Sequence, residues 1–464
     1  MTNLKYTPEE PVAAIATALA PAALGIVRCS GKNCIELLSK IFSRPKALLE
    51  AAGNTIVYGW IQESKDSKID EVLVSVFRAP CSFTGEDMVE ISCHGGVHVV
   101  QTVYNLLLKH GFRSAEKGEF TFRAYINGKA DLTKAEAVRE IIDSKTDESQ
   151  SRAAGRLAGN LFETIDSVKK QIVDTLAAIE VEIEYPEDEE TIADSFDSSE
   201  LENAAKTLAE LADSWKSEKI YQDGARVVLC GKTNAGKSSL FNALLKEDRA
   251  IVSDIEGTTR DFIESWIDFS GIPARLFDTA GLRETSDVIE AVGVERTKDL
   301  SGDADLILYL VDSSQGLSEE DEKFIREQTV PLILVWNKCD KENTGDSPAK
   351  NPENAFSDKN IVQVKISAKK GEGLGDLSEA VKNALSVSQD TDRTRCGLGS
   401  ERQKISVEKA LESVLHALSL TKDYALDAVV QDLEDSLDAL GEVTGDVTPD
   451  DVLGSIFSHF CVGK

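Results

Sequence analysis

Long apolar runs, a basic leader and paired cysteines are all missing from this sequence of 464 residues. No stretch of roughly 18 apolar residues occurs, so we expect no transmembrane helix and no membrane partner. The first residues, MTNLKYTPEEPVAA, lack the basic start and apolar core of a signal peptide and the arginine content of a transit peptide. Together these absences favour a cytoplasmic protein.

The eight cysteines are scattered, and none of them forms a Cys-x-x-Cys pair. Because structural zinc sites draw on such pairs, this spacing argues against a zinc ribbon. We expect seven of the thiols to be reduced and mostly buried, namely Cys29, Cys34, Cys81, Cys93, Cys230, Cys339 and Cys396.

Basic residues are also in short supply, with 51 Lys and Arg against 81 Asp and Glu, which gives a net charge of −30. A field of this sign repels phosphate backbones at long range. If a nucleic acid is a partner, a local basic patch or a second protein must receive it. The chain is also too long for one ordinary core, and we expect about three domains.

Short strand-like runs dominate the first part of the chain: GIVRCSG, TIVYGWIQ, EVLVSVFRAP and DMVEISCHGG, followed by the helical run VHVVQTVYNLLLKHG. They predict an α+β domain over residues 1–121. An apolar stripe from Ala154 to Ile183 then predicts one long helix that ends before Pro186, with a second helix near 199–218. Residues 122–223 are therefore predicted to be helical.

The period changes at Arg226, where the apolar runs RVVLCG, DLILYLVD, PLILVWNK and IVQVKIS alternate with helical segments. This pattern is typical of a parallel sheet with crossover helices and predicts an α/β domain over 224–386. Helical periodicity returns over 387–464, where one stripe contains Val429, Leu433, Leu437 and Leu440. The simplest organisation is a helical domain with the α/β domain inserted, through linker-like joints at Tyr221–Ala225 and 387–400.

Residues Gly231–Ser238, GKTNAGKS, match the phosphate-loop pattern G-x-x-x-x-G-K-[ST] between a strand and a helix. Backbone N–H groups of such a loop wrap phosphate oxygens at a helix N-terminus. Lys237 is predicted to contact the β- and γ-phosphates and Ser238 to ligate Mg²⁺. The alternative, a glycine turn with a chance lysine, is disfavoured by the flanking strand and helix.

Three further motifs follow predicted strands: DTAG at 278–281, NKCD at 337–340 and SAK at 367–369. Asp278 fits a carboxylate that holds Mg²⁺ through water, and Gly281 fits a donor to the γ-phosphate. The other two resemble the guanine-reading loops of GTPases, in which Asp340 accepts hydrogen bonds from guanine. The predicted nucleotide-binding residues are Asn234, Ala235, Gly236, Lys237, Ser238, Ser239, Ser253, Thr258, Thr259, Asp278, Gly281, Asn337, Lys338, Asp340, Ser367, Ala368 and Lys369.

Residues 257–261, GTTRD, resemble the first switch of bacterial translation-factor-related GTPases, with Thr259 as a second Mg²⁺ ligand. Leu282 stands where many GTPases have a water-positioning glutamine, so charge and water must be arranged differently. Asn234 with the loop 253–258 resembles a K⁺-binding arrangement. The K⁺ ligands it predicts are Asn234, Ser253, Ile255 and Thr258, and for Asn234 a loop-bracing amide is the alternative.

Several motifs together resemble the MnmE (TrmE) family of tRNA-modification GTPases. They are APCSFTGEDMVEISCHGG (79–96), GEFTFRAYINGKADLTKAEAV (118–138), IEYPED (183–188), LGEVTGDVTPDDVLGSIFSHF (440–460) and the closing Cys-x-Gly-Lys. The resemblance covers nearly the whole chain. It implies a multidomain protein: an α+β N-terminal folate-binding domain, a discontinuous all-α helical domain and an inserted α/β P-loop GTPase domain.

The resemblance also implies a reaction. Family members act with a flavin-containing partner, MnmG (GidA), and add a carboxymethylaminomethyl or aminomethyl group to C5 of the wobble uridine of certain tRNAs. The one-carbon unit comes from 5-formyl- or methylene-tetrahydrofolate, and GTP hydrolysis drives a conformational step. The implied cofactors are GTP or GDP, Mg²⁺, K⁺ and the folate, and the implied assemblies are a homodimer and a heterotetramer with MnmG.

Carried onto this chain, the family's folate contacts fall on Arg28, Glu90, Lys129 and Lys464. Glu290 matches a proposed water-polarising carboxylate, which joins Asp278 and Lys237 as predicted catalytic residues. Cys461 has two open interpretations: a solvent-reachable acid or nucleophile near the one-carbon site, or a small apolar residue that packs a C-terminal helix.

The chain departs from the family pattern at ALAPAAL (18–24), where a turn rich in Gly and Arg is usual, and at Lys117 and Thr233, where proline is usual. The first departure removes flexible glycines and a cation near the predicted folate residues. A ribosome-assembly GTPase and a purely regulatory GTPase share the nucleotide motifs and are the alternatives. The acidic composition argues against a ribosome-assembly GTPase. Folate binding would distinguish a tRNA-modification enzyme from a purely regulatory GTPase.

Overall fold

The structure, a computed structural model, describes residues 10–184, 198–246, 263–278, 304–341, 361–385, 397–420 and 426–464. The chain groups into two compact units. The first is made of Met1–Arg139, Leu157–Ala205 and Ser406–Lys464, and the second of Glu140–Arg156 and Lys206–Ile405. Across the described ranges, every helix is too short or too polar to span a bilayer.

The strands are β1 (Val12–Ile15), β2 (Leu24–Ser30), β3 (Thr55–Ser64), β4 (Ser67–Phe77), β5 (Met88–His94), β6 (Arg113–Ser114), β7 (Ala225–Gly231), β8 (Ile263–Phe269), β9 (Ile272–Asp278), β10 (Leu306–Asp312), β11 (Leu332–Asn337) and β12 (Val362–Lys365). The helices are α1 (Cys34–Ser39), α2 (Pro45–Leu49), α3 (Val97–Lys109), α4 (Glu119–Ile126), α5 (Leu132–Asp143), α6 (Asp147–Ala158), α7 (Asn160–Glu184), α8 (Ser199–Asp223), α9 (Lys237–Lys246), α10 (Glu319–Glu327), α11 (Leu374–Leu385), α12 (Glu401–Leu420), α13 (Leu426–Thr444) and α14 (Asp450–Ser458).

The first unit contains a six-stranded sheet of order β3-β4-β5-β2-β1-β6, which is antiparallel except between β1 and β6. Side chains alternate across it: on β4, Val72 and Val74 are buried while Leu73 between them is exposed. The buried face packs against α3 through Val100 and Val103. The four predicted strands and the predicted helix are confirmed. β1 and β6 are too short to give a periodic signal in the sequence.

The single long helix predicted from Ala154 to Ile183 is wrong, because α6 and α7 are separate helices with Gly159 between them. Gly159 has a φ of 108°, a left-handed backbone that interrupts an α-helix and favours glycine. Ala154 is exposed, so the stripe does not continue through α6. It is confirmed within α7, where the buried residues include Leu161, Ile165, Val168, Ile172 and Ile179.

The second unit contains a six-stranded sheet of order β12-β11-β10-β7-β9-β8, parallel except for the β8–β9 pair. Both faces are covered by apolar packing. On β7, Val227 and Leu229 belong to one core cluster, and Val228 and Cys230 to another. This explains the unbroken apolar runs of the sequence. The predicted α/β strands are confirmed, and their carboxyl ends share the edge where ligands bind in such sheets.

The linker predicted at Tyr221–Ala225 is wrong, because α8 continues to Asp223 and only Gly224 separates it from β7. Gly224 has a φ of 76°, and a Cβ there would lie 2.4 Å from Cζ3 of Trp266. Only glycine fits this turn. In the second predicted joint, 387–400, residues 397–400 are described, and Leu398 is fully buried.

Helical residues of the second unit are tied to its sheet. Thr146 donates from Oγ1 to the carbonyl oxygen of Gly271, in the β8–β9 turn, at 2.8 Å. Nearby on α6, Arg156 is 1% exposed and pairs with Glu140 at 2.6 Å and with Glu218 at 2.8 Å. A buried arginine requires such partners, so these contacts set the packing of α5, α6 and α8.

Candidate functional site

The predicted phosphate loop joins a strand to a helix, since β7 ends at Gly231 and α9 begins at Lys237. Left-handed backbone at Asn234 (φ 66°) and Gly236 (φ 100°) turns the chain within the loop. A Cβ at Gly231 would lie 2.3 Å from the carbonyl oxygen of Leu310, so that position accepts only glycine. This is the geometry in which backbone N–H groups cradle phosphate oxygens.

The lysine of the loop lies across it. Lys237 donates from Nζ to the carbonyl oxygens of Gly231, at 2.7 Å, and Lys232, at 3.0 Å. Asn234, Ser238 and Ser239 are exposed. The ammonium and these polar side chains are therefore within reach of a ligand bound at the loop.

Asn337 connects the predicted phosphate loop to the two loops that are predicted to read guanine. It is 2% exposed. Its amide nitrogen donates to the carbonyl oxygen of Ala235 at 2.9 Å. Its amide oxygen accepts from the backbone N–H of Lys338 at 2.8 Å and of Ala368 at 3.1 Å. One N–H donor and both acceptor positions of this buried amide are thus used to hold loops together.

Lys338 points its side chain at the phosphate loop. Its Nζ donates to the carbonyl oxygen of Asn234 at 2.6 Å and to Oδ2 of Asp312 at 2.7 Å. Burial raises the pKa of the Asp312 carboxyl, but hydrogen bonds from Lys338 and Ser314 outweigh burial and leave the pKa below its usual value. Asp312 was not identified from the sequence, because a single Asp after a strand carries no motif.

Asp340, the predicted guanine reader, is held from the neighbouring loop. Its Oδ1 accepts a hydrogen bond from the Ser367 hydroxyl at 2.8 Å, and that bond lowers the pKa of the Asp340 carboxyl. Ser367 is fully buried, while Lys369 is exposed. The structure therefore brings the 337–340 and 367–369 motifs to one edge of the sheet.

Other predicted site residues lie outside the described part of the chain: Ser253, Ile255, Thr258, Thr259, Gly281 and Glu290, together with Leu282. Asp278 ends β9, where it pairs in register with Ile263, and its side chain is likewise outside the described part. The roles predicted for these residues stay predictions.

A second candidate site lies on the sheet of the first unit. Arg28 on β2 and Glu90 on β5 are cross-strand neighbours, with Arg28 Nη2 2.7 Å from Glu90 Oε1. Arg28 Nη1 also donates to the carbonyl oxygen of Gly463 at 3.2 Å. The rings of Phe83 and Phe120 lie 5.7 and 5.6 Å from its guanidinium carbon. Residues distant in the sequence, including the C-terminal tail, meet at this arginine.

The tail that reaches Arg28 is hydrogen-bonded to the segment before α4. The backbone N–H of Gly118 donates to the carbonyl oxygen of Cys461 at 3.3 Å, and Lys117 forms a β-bridge with Val462. Cys461 is exposed, so its side chain is not packed in a core. Lys464 is partly exposed, and Lys129 is exposed. The Lys129 side chain lies close to Gly85, since its Cγ would be 3.2 Å from a Cβ added to that glycine.

The other described cysteines are free thiols, and four of them are buried: Cys29, Cys34, Cys93 and Cys230. Burial raises the pKa of Cys93 to about 11 and that of Cys230 to about 12, which keeps both thiols protonated. Cys339 is partly buried, and the expected burial is wrong for Cys81, which is exposed. Cys396 lies outside the described residues.

A buried ionic network lies beside the Arg28 site. Glu119 is 1% exposed and accepts from Arg113 Nη2 at 2.6 Å and Arg123 Nη2 at 2.8 Å. Arg123 is fully buried and also pairs with Glu86 at 2.8 Å. The sequence signal was available, since Glu119 and Arg123 stand four apart on α4, the helix that contains Phe120.

Comparison with known proteins agrees with this architecture. The family model of the MnmE helical domain matches residues 132–461, and that of the GTP-binding protein TrmE N-terminus matches residues 11–129. The tRNA modification GTPase MnmE of Treponema denticola is 52% identical over 469 residues, covering 99% of both chains. That of Carboxydothermus hydrogenoformans is 43% identical over 472 residues, covering 98% of this chain and 100% of its own.

Among solved structures, the G domain of the T. maritima FeoB iron transporter is 27% identical, covers 34% of this chain and 98% of its own, and has a TM-score of 0.26, too low to carry an argument. The matches to the family models and to the full-length relatives show the family. With the predicted phosphate loop and the 337–340 and 367–369 motifs at one sheet edge, the chain is a GTPase and belongs to the MnmE family of tRNA modification GTPases.

Proposed function

We propose that this GTPase couples GTP hydrolysis to the addition of a carboxymethylaminomethyl or aminomethyl group at C5 of a tRNA wobble uridine. The relatives are named as tRNA modification GTPases, which supports tRNA as the substrate. The observation that carries the one-carbon chemistry is the Arg28–Glu90 pair, 2.7 Å apart, with the C-terminal tail against it. A flavin-containing protein of the MnmG (GidA) kind is the proposed partner.

In the nucleotide half of the proposal, Lys237 binds the β- and γ-phosphates and Asp340 reads the guanine edge. Ser238 and Thr259 hold Mg²⁺, with Asp278 bound to it through water. The described residues fit this task, because the exposed Ser238 hydroxyl follows Lys237 at a helix start and Mg²⁺ prefers oxygen ligands. Bound Mg²⁺ supplies charge neutralisation at the phosphates.

We also propose that K⁺ binds through Asn234, Ser253, Ile255 and Thr258, and that Glu290 orients the attacking water. The side chain of Asn234 is exposed at the turn of the phosphate loop, which fits an oxygen donor to a cation beside the phosphates. Dimerisation of two chains through this region accompanies hydrolysis.

In the one-carbon half, a reduced folate binds through Arg28, Glu90, Lys129 and Lys464. A pterin presents N–H donors that suit the Glu90 carboxylate, and the glutamate tail presents carboxylates that suit the three cations. The Glu90 side chain is 23% exposed, so a ligand can reach it from solvent. The folate supplies the one-carbon group when bound, and Cys461, exposed in the same tail, acts as acid or nucleophile.

The proposed assemblies are a homodimer and a heterotetramer with the flavin protein. With a net charge of −30, this chain needs a local basic patch or that partner to receive tRNA. The proposed domains are 1–121 for folate, 122–223 and 387–464 for the helical domain, and 224–386 for the GTPase.

The test separates the two halves in the full-length protein. Arg28→Ala should weaken binding of 5-formyl-tetrahydrofolate by about tenfold or more and leave GTP turnover unchanged, because charge-assisted contacts are lost only at that site. Glu290→Ala should abolish GTP turnover and leave folate affinity unchanged. Arg44→Ala is the control, since Arg44 is an exposed arginine of the same unit whose Nη1 donates to the backbone carbonyl of Tyr58 at 3.2 Å.

Normal folate binding by Arg28→Ala would refute the site. No folate binding by the wild-type chain would favour a purely regulatory GTPase instead.

A further inference from the structure

Asp312, at the end of β10, belongs to none of the nucleotide motifs, yet it is bonded to two of them through one lysine. Its side chain is 7% exposed. The Nζ of Lys338, in the guanine-reading motif, lies 2.7 Å from Asp312 Oδ2 and 2.6 Å from the carbonyl oxygen of Asn234 in the phosphate loop. One ammonium therefore joins the end of β10, the guanine-reading motif and the phosphate loop.

The two carboxylate oxygens of Asp312 accept hydrogen bonds from different residues. Oδ1 accepts hydrogen bonds from the backbone N–H of Ser314 at 3.0 Å and from its hydroxyl at 2.6 Å. These bonds fix the orientation of the carboxylate, which leaves Oδ2 for Lys338. Both oxygens face donors, so neither can be replaced by an NH₂ group without placing a donor against a donor.

The backbone of Lys338 needs such support. Its φ is 64°, a left-handed conformation that costs energy for a residue other than glycine and persists where neighbours hold it. Asn337 holds the backbone N–H of Lys338 at 2.8 Å. Asp312 holds the ammonium at the other end of the same residue, and the Lys338 side chain as a whole is 25% exposed.

We infer that Asp312 is a positioning residue for nucleotide binding, acting through Lys338 to hold the ammonium against the phosphate loop. A side chain that is already in place loses less freedom when the nucleotide binds. Asp312 does not act on the reacting phosphate, so its contribution falls on affinity and not on the chemical step.

The test uses the full-length protein and a fluorescent GDP. Asp312→Asn should raise the Kd about tenfold while kcat at saturating GTP stays within about twofold. Asp305→Asn is the matched control at the other end of β10, where Asp305 accepts from the backbone N–H of Arg226 at 2.7 Å. This control should leave the Kd unchanged.

A double-mutant cycle distinguishes positioning from a general structural effect. Lys338→Met should itself raise the Kd, and adding Asp312→Asn should then change it no further. If Asp312→Asn does not fold, Ser314→Ala replaces it, with an expected rise of about threefold that also vanishes in the Lys338→Met background. The inference is overturned if the rise is the same in both backgrounds, or if kcat falls while the Kd is unchanged.

Discussion

The side-chain amide of Asn337 donates to the carbonyl oxygen of Ala235 at 2.9 Å, so the end of β11 is hydrogen-bonded to the predicted phosphate loop. The amide oxygen accepts from Ala368 in the third loop at 3.1 Å. A Cβ at Gly236 would lie 2.1 Å from the Asn337 amide nitrogen, which shows how closely the loops approach. One buried side chain therefore joins three loops that are predicted to bind the nucleotide.

Replacing Asn337 by alanine should lower both stability and nucleotide affinity. The change removes the Asn337 partner from the backbone groups of Ala235, Lys338 and Ala368, of which the bonds to Ala235 and Ala368 are buried, at a cost of about 1–3 kcal/mol. Denaturant unfolding and GDP titration of the full-length protein measure the two effects. Gln363→Ala, which removes one side-chain bond to Trp336 on the neighbouring strand, is the control. Wild-type GDP affinity in Asn337→Ala would contradict the bracing role.

Asp340→Asn should change the preferred base from guanine to xanthine. The amide offers a donor where the carboxylate accepted, which mismatches guanine and matches a xanthine carbonyl, at a cost for GTP of about 1–3 kcal/mol. The ratio of GTP to XTP affinity in the same variant is the measurement, and it controls for any loss of fold. An unchanged ratio would refute Asp340 as the guanine reader, as would equal binding of ATP and GTP by the wild-type chain.

Asn234→Gly should remove the K⁺ stimulation of GTP turnover. Glycine is the suitable substitution because Asn234 has a φ of 66°, and glycine keeps that backbone while it deletes the amide oxygen. Turnover is compared in K⁺ and in Na⁺ at equal ionic strength. Equal wild-type rates in the two salts, or a full K⁺ response in the variant, would show that no such cation site operates.

Glu119 should make the first unit sensitive to acid. Burial raises its pKa, but hydrogen bonds from Arg113, the backbone of Glu116 and Arg123 outweigh burial, so the folded-state pKa lies below the ordinary 4.5. The carboxylate therefore stabilises the fold above pH 4.5, and this stabilisation is lost as the pH falls through the folded-state pKa. Glu119→Gln should cost about 3–5 kcal/mol at neutral pH, because the fully buried Arg123 and the partly exposed Arg113 lose their counter-charge.

Urea unfolding of the full-length protein near pH 7 and near pH 4 measures this difference. The difference in the free energy of unfolding between the wild type and Glu119→Gln should be smaller near pH 4 than near pH 7. Glu116→Gln, at an exposed glutamate three residues earlier, should match the wild type at both values. If the difference in the free energy of unfolding is the same at both pH values, the charge of Glu119 does not stabilise the fold.

Most of the secondary structure could be predicted because its signals are local. The strands around Val227, Leu308 and Leu334 are unbroken apolar runs, which a sheet covered on both faces requires. The helix break at Gly159 could not be read from periodicity, because apolar spacing continues through it while the backbone turns left-handed. Gly224 is similar: the sequence does not show that the linker is a single residue, because the end of α8 at Asp223 and the start of β7 at Ala225 are seen only in the structure.

By itself, the sequence determined that the chain is a GTPase, through residue types at short spacing in GKTNAGKS and NKCD, and the closing Cys-x-Gly-Lys helped to identify the family. Only the tertiary structure decided the partnerships across long separations. Asp312 with Lys338, Asn337 with Ala235 and Arg28 with Gly463 are side-chain contacts between segments that no local pattern connects. The physical reason is that strand order and the packing of loops at a sheet edge select these pairs, and both depend on the whole core rather than on neighbouring residues.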